Sequence, residues 1–130
     1  MSRSVPAAVF TIDKRLGQRG GITVIEAIGE LDFYTGPMLR KAFSESVAEG
    51  NALIVTDLEG LEFLDSTGLA VLIRGLKECN AAGGAFALAR LTRRTTHTLQ
   101  TAGVLHLFNL YDTVEAAEDV LSYSSGVRSG

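Results

Sequence analysis

One short run, Phe63-Leu64-Asp65-Ser66-Thr67-Gly68-Leu69, places a carboxylate and two hydroxyls where the flanking pattern predicts the first exposed turn of a helix. The first N–H groups of a helix have no partner within it, and the helix dipole concentrates partial positive charge there. A phosphate esterified to Ser66 would sit beside ready-made anion donors. Asp65 and Ser66 also suit a plainer task, capping the helix through a side-chain oxygen. The two readings are compatible, since a capped helix start can still expose its first hydroxyl.

Other residues able to do chemistry are fewer. Asp32 ends a predicted strand, where a loop carboxylate commonly closes an Asx turn. Asp57 ends an apolar run and there either hydrogen-bonds loop amides or, in a receiver-like alternative, accepts phosphate itself. That alternative needs an acidic pair at the end of the first strand and a lysine late in the sheet. Asp13 offers one carboxylate, and no lysine follows Lys77. His97 and His106 have no His, Cys or acidic partner at ligand spacing, so no metal is expected. Gly83-Gly84 is followed by no Lys-Ser or Lys-Thr and is not a phosphate loop. No Ser-His-acid set can be assembled from the spacings. A small flavodoxin-like enzyme or nucleotide binder therefore lacks its machinery, and the expectation is a non-enzyme with no catalytic residues and no cofactor. Arg90, Arg93 and Arg94 form a small basic patch at a helix start, which reads as a solvated face.

The elements that must position Ser66 can be read from periodicity. Val9 to Leu16 and Ile22 to Glu30 are two predicted strands joined through Gly17–Gly21, a glycine-rich hairpin loop. A helix follows, capped by Thr35, with Pro37 in its first turn and Gly50 as its stop; Leu39, Ala42, Phe43 and Val47 give its buried stripe. Leu53 to Leu58 is a strand of the kind buried on both faces. Asp65 to Asn80 is a helix with Leu69, Leu72, Ile73 and Leu76 on one face. Ala85–Ala89 is a strand, Thr92 to Ala102 a helix, Leu105–Leu110 a strand, and a last helix opened by Thr113 buries Val114, Ala117, Val120 and Leu121. The order β-β-α-β-α-β-α-β-α predicts one α/β domain over residues 7–121. Its mixed, mostly parallel sheet has about five strands opened by an antiparallel hairpin, with about four helices. The polar ends, 1–6 and 122–130, read as flexible tails. Loops at the carboxyl ends of parallel strands gather on one edge; here they are Leu31–Gly36, Glu59–Ser66 and Arg90–Arg93, and function is expected there.

Composition narrows the setting. A chain of 130 residues can bury roughly two-thirds of its unfolded surface, enough to fold without staples. Its formal net charge of -3 argues against nucleic acid, whose partners carry clustered excess Lys and Arg. Cys79 is the single cysteine, so no internal disulfide forms, and a structural or simply exposed thiol is expected. Residues 1–8 lack the apolar core of a signal peptide. No run approaches the roughly 18 apolar residues of a membrane span. A cytoplasmic protein is expected.

Val55-Thr56-Asp57-Leu58-Glu59-Gly60-Leu61-Glu62-Phe63-Leu64-Asp65-Ser66-Thr67-Gly68-Leu69 resembles the signature of the STAS domain family, specifically its anti-sigma factor antagonists. Gly29-Glu30-Leu31-Asp32-Phe33-Tyr34-Thr35-Gly36-Pro37-Met38-Leu39 resembles the family's second block. Thr101-Ala102-Gly103-Val104 with Phe108, then Tyr111 to Ala117, resembles its C-terminal pattern. The resemblance runs from roughly Phe10 to Leu121. It implies that Ser66 is phosphorylated by a partner that is both anti-sigma factor and serine kinase. The unphosphorylated form binds that partner and frees the sigma factor, and a serine phosphatase removes the phosphate. It also implies a partner-binding surface of Asp32, Tyr34, Phe63, Asp65, Thr67 and Gly68, with Asp32 orienting the Ser66 hydroxyl for the kinase. Thr67 stands where many members have a second serine, and Gly36 where alanine is common; neither change removes the acceptor. Some distant STAS domains lack the serine, so an interaction module that is never phosphorylated is a further alternative.

Overall fold

The computed structural model describes residues 10–129. Strand β1 (Phe10–Leu16) runs antiparallel to β2 (Ile22–Leu31), in a register from Phe10 opposite Gly29 to Leu16 opposite Thr23. The hairpin closes through Gly17, whose N–H donates to the Ile22 carbonyl at 2.8 Å. The chain continues through α1 (Gly36–Ala48), β3 (Leu53–Asp57), β4 (Leu61–Leu64), α2 (Ser66–Ala81), β5 (Ala85–Ala89) and α3 (Arg93–Thr101). A single 3-10 turn at Leu105–Leu107 leads to β6 (Asn109–Tyr111) and α4 (Val114–Ser129). The sheet order is β1-β2-β3-β5-β6, with β4 also paired to β2; all pairings after the hairpin are parallel.

The parallel strands explain their own burial. Successive side chains point to opposite faces, so β3 sends Ile54 to one core and Val55 to the other, while β5 sends Phe86 and Leu88 one way and Ala87 and Ala89 the other. On the first face α1, α2 and α3 contribute Leu39, Phe43, Leu72, Cys79 and Leu99. The Phe43 and Phe86 rings meet edge to face at 5.3 Å, a favoured aromatic geometry. On the second face α4 packs Val114, Ala117 and Leu121 over Ile22, Val24, Val55 and the two small alanines. The result is three layers, helices on both sides of a mixed sheet.

Several expectations are corrected. The sheet has a further strand, β4, which the sequence conceals because its four residues do not alternate: Leu61 and Leu64 are buried and the two between them exposed. The predicted strand Leu105–Leu110 is mostly the 3-10 turn, and only Asn109–Tyr111 pairs with Ala87–Ala89. Val120 faces solvent, at 43% exposure, whereas Glu118 is buried at 2%. The reason is local: Glu118 tucks under the β1–β2 loop, where its Oε1 accepts the Arg19 N–H at 3.2 Å. Thr35 makes no side-chain cap to α1. Its hydroxyl turns back instead and donates to the Glu30 carbonyl at 2.7 Å. Helix α4 runs from Val114 through Ser129. The expected tail 1–6 and the domain start at 7 lie outside the described residues.

Candidate functional site

The site is built by a change of partner along β2. Residues Ile22–Glu26 pair with β3; from Gly29, opposite Leu61, the strand pairs with β4, and a register shift between Gly29 and Glu30 sets Glu30 beside Phe63 and Leu31 beside Leu64. This irregularity brings two loops together at the carboxyl edge. The Asp65 N–H donates to the Leu31 carbonyl at 3.2 Å. The Asp65 carboxylate then works in both directions: Oδ1 accepts the Gly68 N–H at 2.9 Å, and Oδ2 accepts the Phe33 N–H at 3.2 Å. Asp65 is therefore the N-cap of α2 and the clasp between the loops.

Ser66 is the first residue of α2 and is exposed. Among the described residues its hydroxyl makes no hydrogen bond. With Gly68 N–H taken by Asp65, the Ser66 and Thr67 N–H groups are ones that a helix start cannot satisfy internally. Gly68 is what lets α2 come this close, because a Cβ there would lie 2.7 Å from both the Leu31 carbonyl oxygen and Leu64 Cδ1. Thr67, half-buried, lies against the start of α1, within van der Waals distance (3.4 Å) of where a Gly36 side chain would begin.

Asp32 is placed on this edge, but its carboxylate is spent within its own loop. Oδ1 accepts the Tyr34 and Thr35 N–H groups at 2.9 and 3.0 Å, an Asx turn. The hydrogen bond from the Thr35 N–H above all lowers the Asp32 pKa from its ordinary value; burial opposes it, and the Thr35 hydroxyl and Tyr34 N–H add smaller lowering effects. The structure thus gives Asp32 a loop-shaping role, and among its hydrogen bonds none reaches Ser66.

The remaining loop-edge carboxylate, Asp57, is also committed. It is buried and takes a two-point ion pair from Arg90, Nε to Oδ1 at 3.1 Å and Nη2 to Oδ2 at 2.8 Å, while Oδ1 also accepts the Glu59 N–H. Arg90 reaches this position with a φ of 58° and pairs with Glu59 as well, at 2.6 Å. Both oxygens are occupied, by Arg90 and the Glu59 N–H, which leaves neither free for a receiver-like acyl phosphate. Arg94 joins the third loop to the others by donating to the Glu62 carbonyl at 3.0 Å. The three loops named from the sequence do meet.

Around Ser66 lies an exposed apolar fringe. Tyr34 is 84% exposed, Phe33 68%, Phe63 49% and Met38 47%; the Phe33 and Tyr34 rings stand edge to face at 5.4 Å. Phe33 and Met38 escaped the sequence reading. Two consecutive aromatics in a polar loop, which cannot both turn inward, were the available signal. Ser66 also lines a groove of about 350 Å³ with Leu64, Leu69, His97 and Thr98, so His97, weighed earlier only as a metal ligand, stands on the same face.

The fold is thus a mixed α/β sheet with a hydroxyl at one helix mouth that has no partner among the described residues, and with exposed aromatics on the same edge. The STAS domain family profile matches residues 13–117, and the chain belongs to that family. It is similar to the anti-sigma-F factor antagonist RsfB of Mycobacterium tuberculosis, 30% identical over 126 residues that cover 95% of this chain and 96% of that protein. Among solved structures it is similar to an anti-sigma factor antagonist from Mycobacterium paratuberculosis, 28% identical with a TM-score of 0.69 over 85% of this chain and 94% of that one. It is also similar to the phosphorylated form of the Bacillus cell fate determinant SpoIIAA, 25% identical with a TM-score of 0.67 over 84% and 97% of the two chains.

Proposed function

We propose that this chain is an anti-sigma factor antagonist whose binding is switched at Ser66. The unphosphorylated form binds an anti-sigma factor of serine-kinase type and frees the sigma factor; phosphorylation of Ser66 by that partner ends the complex, and a serine phosphatase restores it. The chain itself is a binding module and not an enzyme. The observation that carries the reading is the state of Ser66: exposed, first in its helix, free of hydrogen bonds among the described residues, and relieved of the capping duty by Asp65. Such a hydroxyl is a substrate for another protein's chemistry. The similarity to antagonists over nearly the whole chain, one of them solved in a phosphorylated form, supports the same assignment.

Phosphorylation adds about -1.5 to -2 charges at pH 7. Attraction to an exposed helix terminus is only about 0.3–1 kcal/mol, enough to seat the phosphate without refolding the domain. The switch therefore acts as a local charge and bulk in the partner contact, where a charge without a counter-ion costs several kcal/mol. Calorimetric affinity for the anti-sigma factor, measured for wild type, Ser66→Ala, Ser66→Asp and the phosphorylated form, tests this. The expected order is Ala equal to wild type, Asp weaker and phosphoserine weakest, with equal folding by circular dichroism. Equal affinities in all four forms would reduce Ser66 to a bystander in an unregulated module; tighter binding of the phosphorylated form would reverse the mechanism.

A further inference from the structure

Beside the serine runs a second groove, of about 430 Å³, between α1 and α2. Its apolar lining is buried Val71, partly buried Ile73 and exposed Ala70, with Thr67 at the end nearest Ser66 and the cations Arg40, Arg74 and Lys77 around it. All three cations are exposed, and among the described residues none has an ion pair or hydrogen bond. This is a local inversion of sign in a chain of net charge -3.

The inversion is maintained by where the neighbouring acids are spent. Glu78 stands four residues after Arg74, the spacing at which a helix normally pairs such charges. Its carboxylate instead accepts the Ser44 hydroxyl of α1, at 3.1 and 3.2 Å. Glu45 faces Lys41 at 3.9 Å, and Glu49, just past α1, faces Lys14 on β1 at 3.5 Å. These are the acidic residues of α1, its cap and α2, and among the described residues none of them forms an ion pair with Arg40, Arg74 or Lys77.

We propose that this groove receives an acidic, amphipathic segment of the anti-sigma factor, its carboxylates on Arg40, Arg74 and Lys77 and its apolar side chains on Val71 and Ile73. The inference rests on the partner reading above and specifies the partner's chemistry. An apolar lining with cations around it matches that segment in both shape of hydrophobicity and sign, and peripheral charges of this kind chiefly set partner choice and association rate. The site also gives phosphorylation a target. A phosphate on Ser66 adds negative charge beside the Thr67 end of the groove, where it repels the incoming carboxylates.

The test needs no identified partner. Peptides are selected from a random display library against the whole chain, and their binding is mapped by backbone amide shifts. The expected peptides combine Asp or Glu with Leu or Ile at helical spacing and shift the amides of Arg40 and Thr67–Lys77. The triple variant R40Q/R74Q/K77Q, shown by circular dichroism to fold, should bind them about tenfold or more weakly. R15Q on β1 should leave them unchanged, added salt should weaken them, and phosphoserine encoded at position 66 should weaken them further. Selection of neutral or basic peptides, shifts confined to another face, preferential capture of nucleic acid, or full affinity in the triple variant would each overturn the proposal. Because no anti-sigma factor enters the assay, its outcome is independent of whether a kinase-type partner acts on Ser66.

Discussion

Gly68→Ala sets two physical rules against each other. On helix propensity alone, alanine in place of glycine within a helix stabilises by about 0.5–1 kcal/mol. At this position the added Cβ would lie 2.7 Å from the Leu31 carbonyl oxygen, from Leu31 Cγ and from Leu64 Cδ1. Neither leucine can swing clear, since both are buried, and the carbonyl is already held by the Asp65 N–H. Overpacking of this kind typically costs about 1–3 kcal/mol, and a pinned backbone oxygen among the contacts places it in the upper part of that range. The net effect is a destabilisation of about 1–2 kcal/mol, which for a domain of this size lowers Tm by about 3–10 °C. Relief requires the start of α2 to move away from β2, which also displaces Ser66 from Phe33. Calorimetry and denaturant melts give the first readout, and the rate of Ser66 phosphorylation by a kinase-type partner gives the second. Gly36→Ala is the internal control: its Cβ would meet Thr67 and Val71 at an ordinary 3.4 Å, so its stability should stay within about 0.5 kcal/mol. A Gly68→Ala protein as stable as wild type, or more so, would refute the close-approach argument.

Other expectations follow from the same contacts. Asp65→Ala should cost about 1–2 kcal/mol, because it removes both the cap and the clasp to Phe33, whereas Ser66→Ala should change stability by less than about 0.5 kcal/mol; chemical denaturation compares them. Arg90→Gln should cost about 2–3 kcal/mol, since it strips the buried Asp57 of its partner; breaking a buried pair costs somewhat more, but Arg90 is partly exposed. Adding Asp57→Asn should recover part of the loss in a double-mutant cycle. The Cys79 thiol, pushed up to about 12 chiefly by burial and secondarily by Glu78, should resist alkylation in the native state at neutral pH and react on unfolding. Its folded value lies above its ordinary 9.0, so raising pH through 9 ionises the unfolded chain first. Stability should therefore fall between pH 9 and about 12, a decline that Cys79→Ala reduces.

The parts of this fold that were legible are those whose pattern is long. The both-face burial of Ile54, Val55, Phe86 and Leu88 shows in unbroken apolar runs, and the helical stripes of α1 and α2 span three turns or more. Strand β4 was invisible because Leu61–Leu64 is held by a register shift in β2, a tertiary event with no local signal. The last helix misled for a different reason. Spacing from Ala117 points to Val120, but a loop amide from Arg19 makes Glu118 the cheaper residue to bury. At the site, Ser66 and Asp65 were readable as helix-start residues, and only coordinates could show which of them caps. Asp32 was placed on the right edge, and of its two readings the hydrogen bonds from Tyr34 and Thr35 show the Asx turn. The unpaired state of Arg74 depends on Glu78 reaching across to Ser44, a choice of rotamer that no sequence displays.

Because Asp65 holds the helix and Ser66 holds nothing, the chemical state of the serine is nearly uncoupled from the free energy of folding. A protein whose modified and unmodified forms unfold equally rarely is presented equally rarely to proteases, so the two forms share one lifetime. If Ser66 is the switch proposed above, toggling it changes the ratio of the two forms while leaving the total pool alone, and a signal carried by that ratio is not distorted by synthesis or turnover.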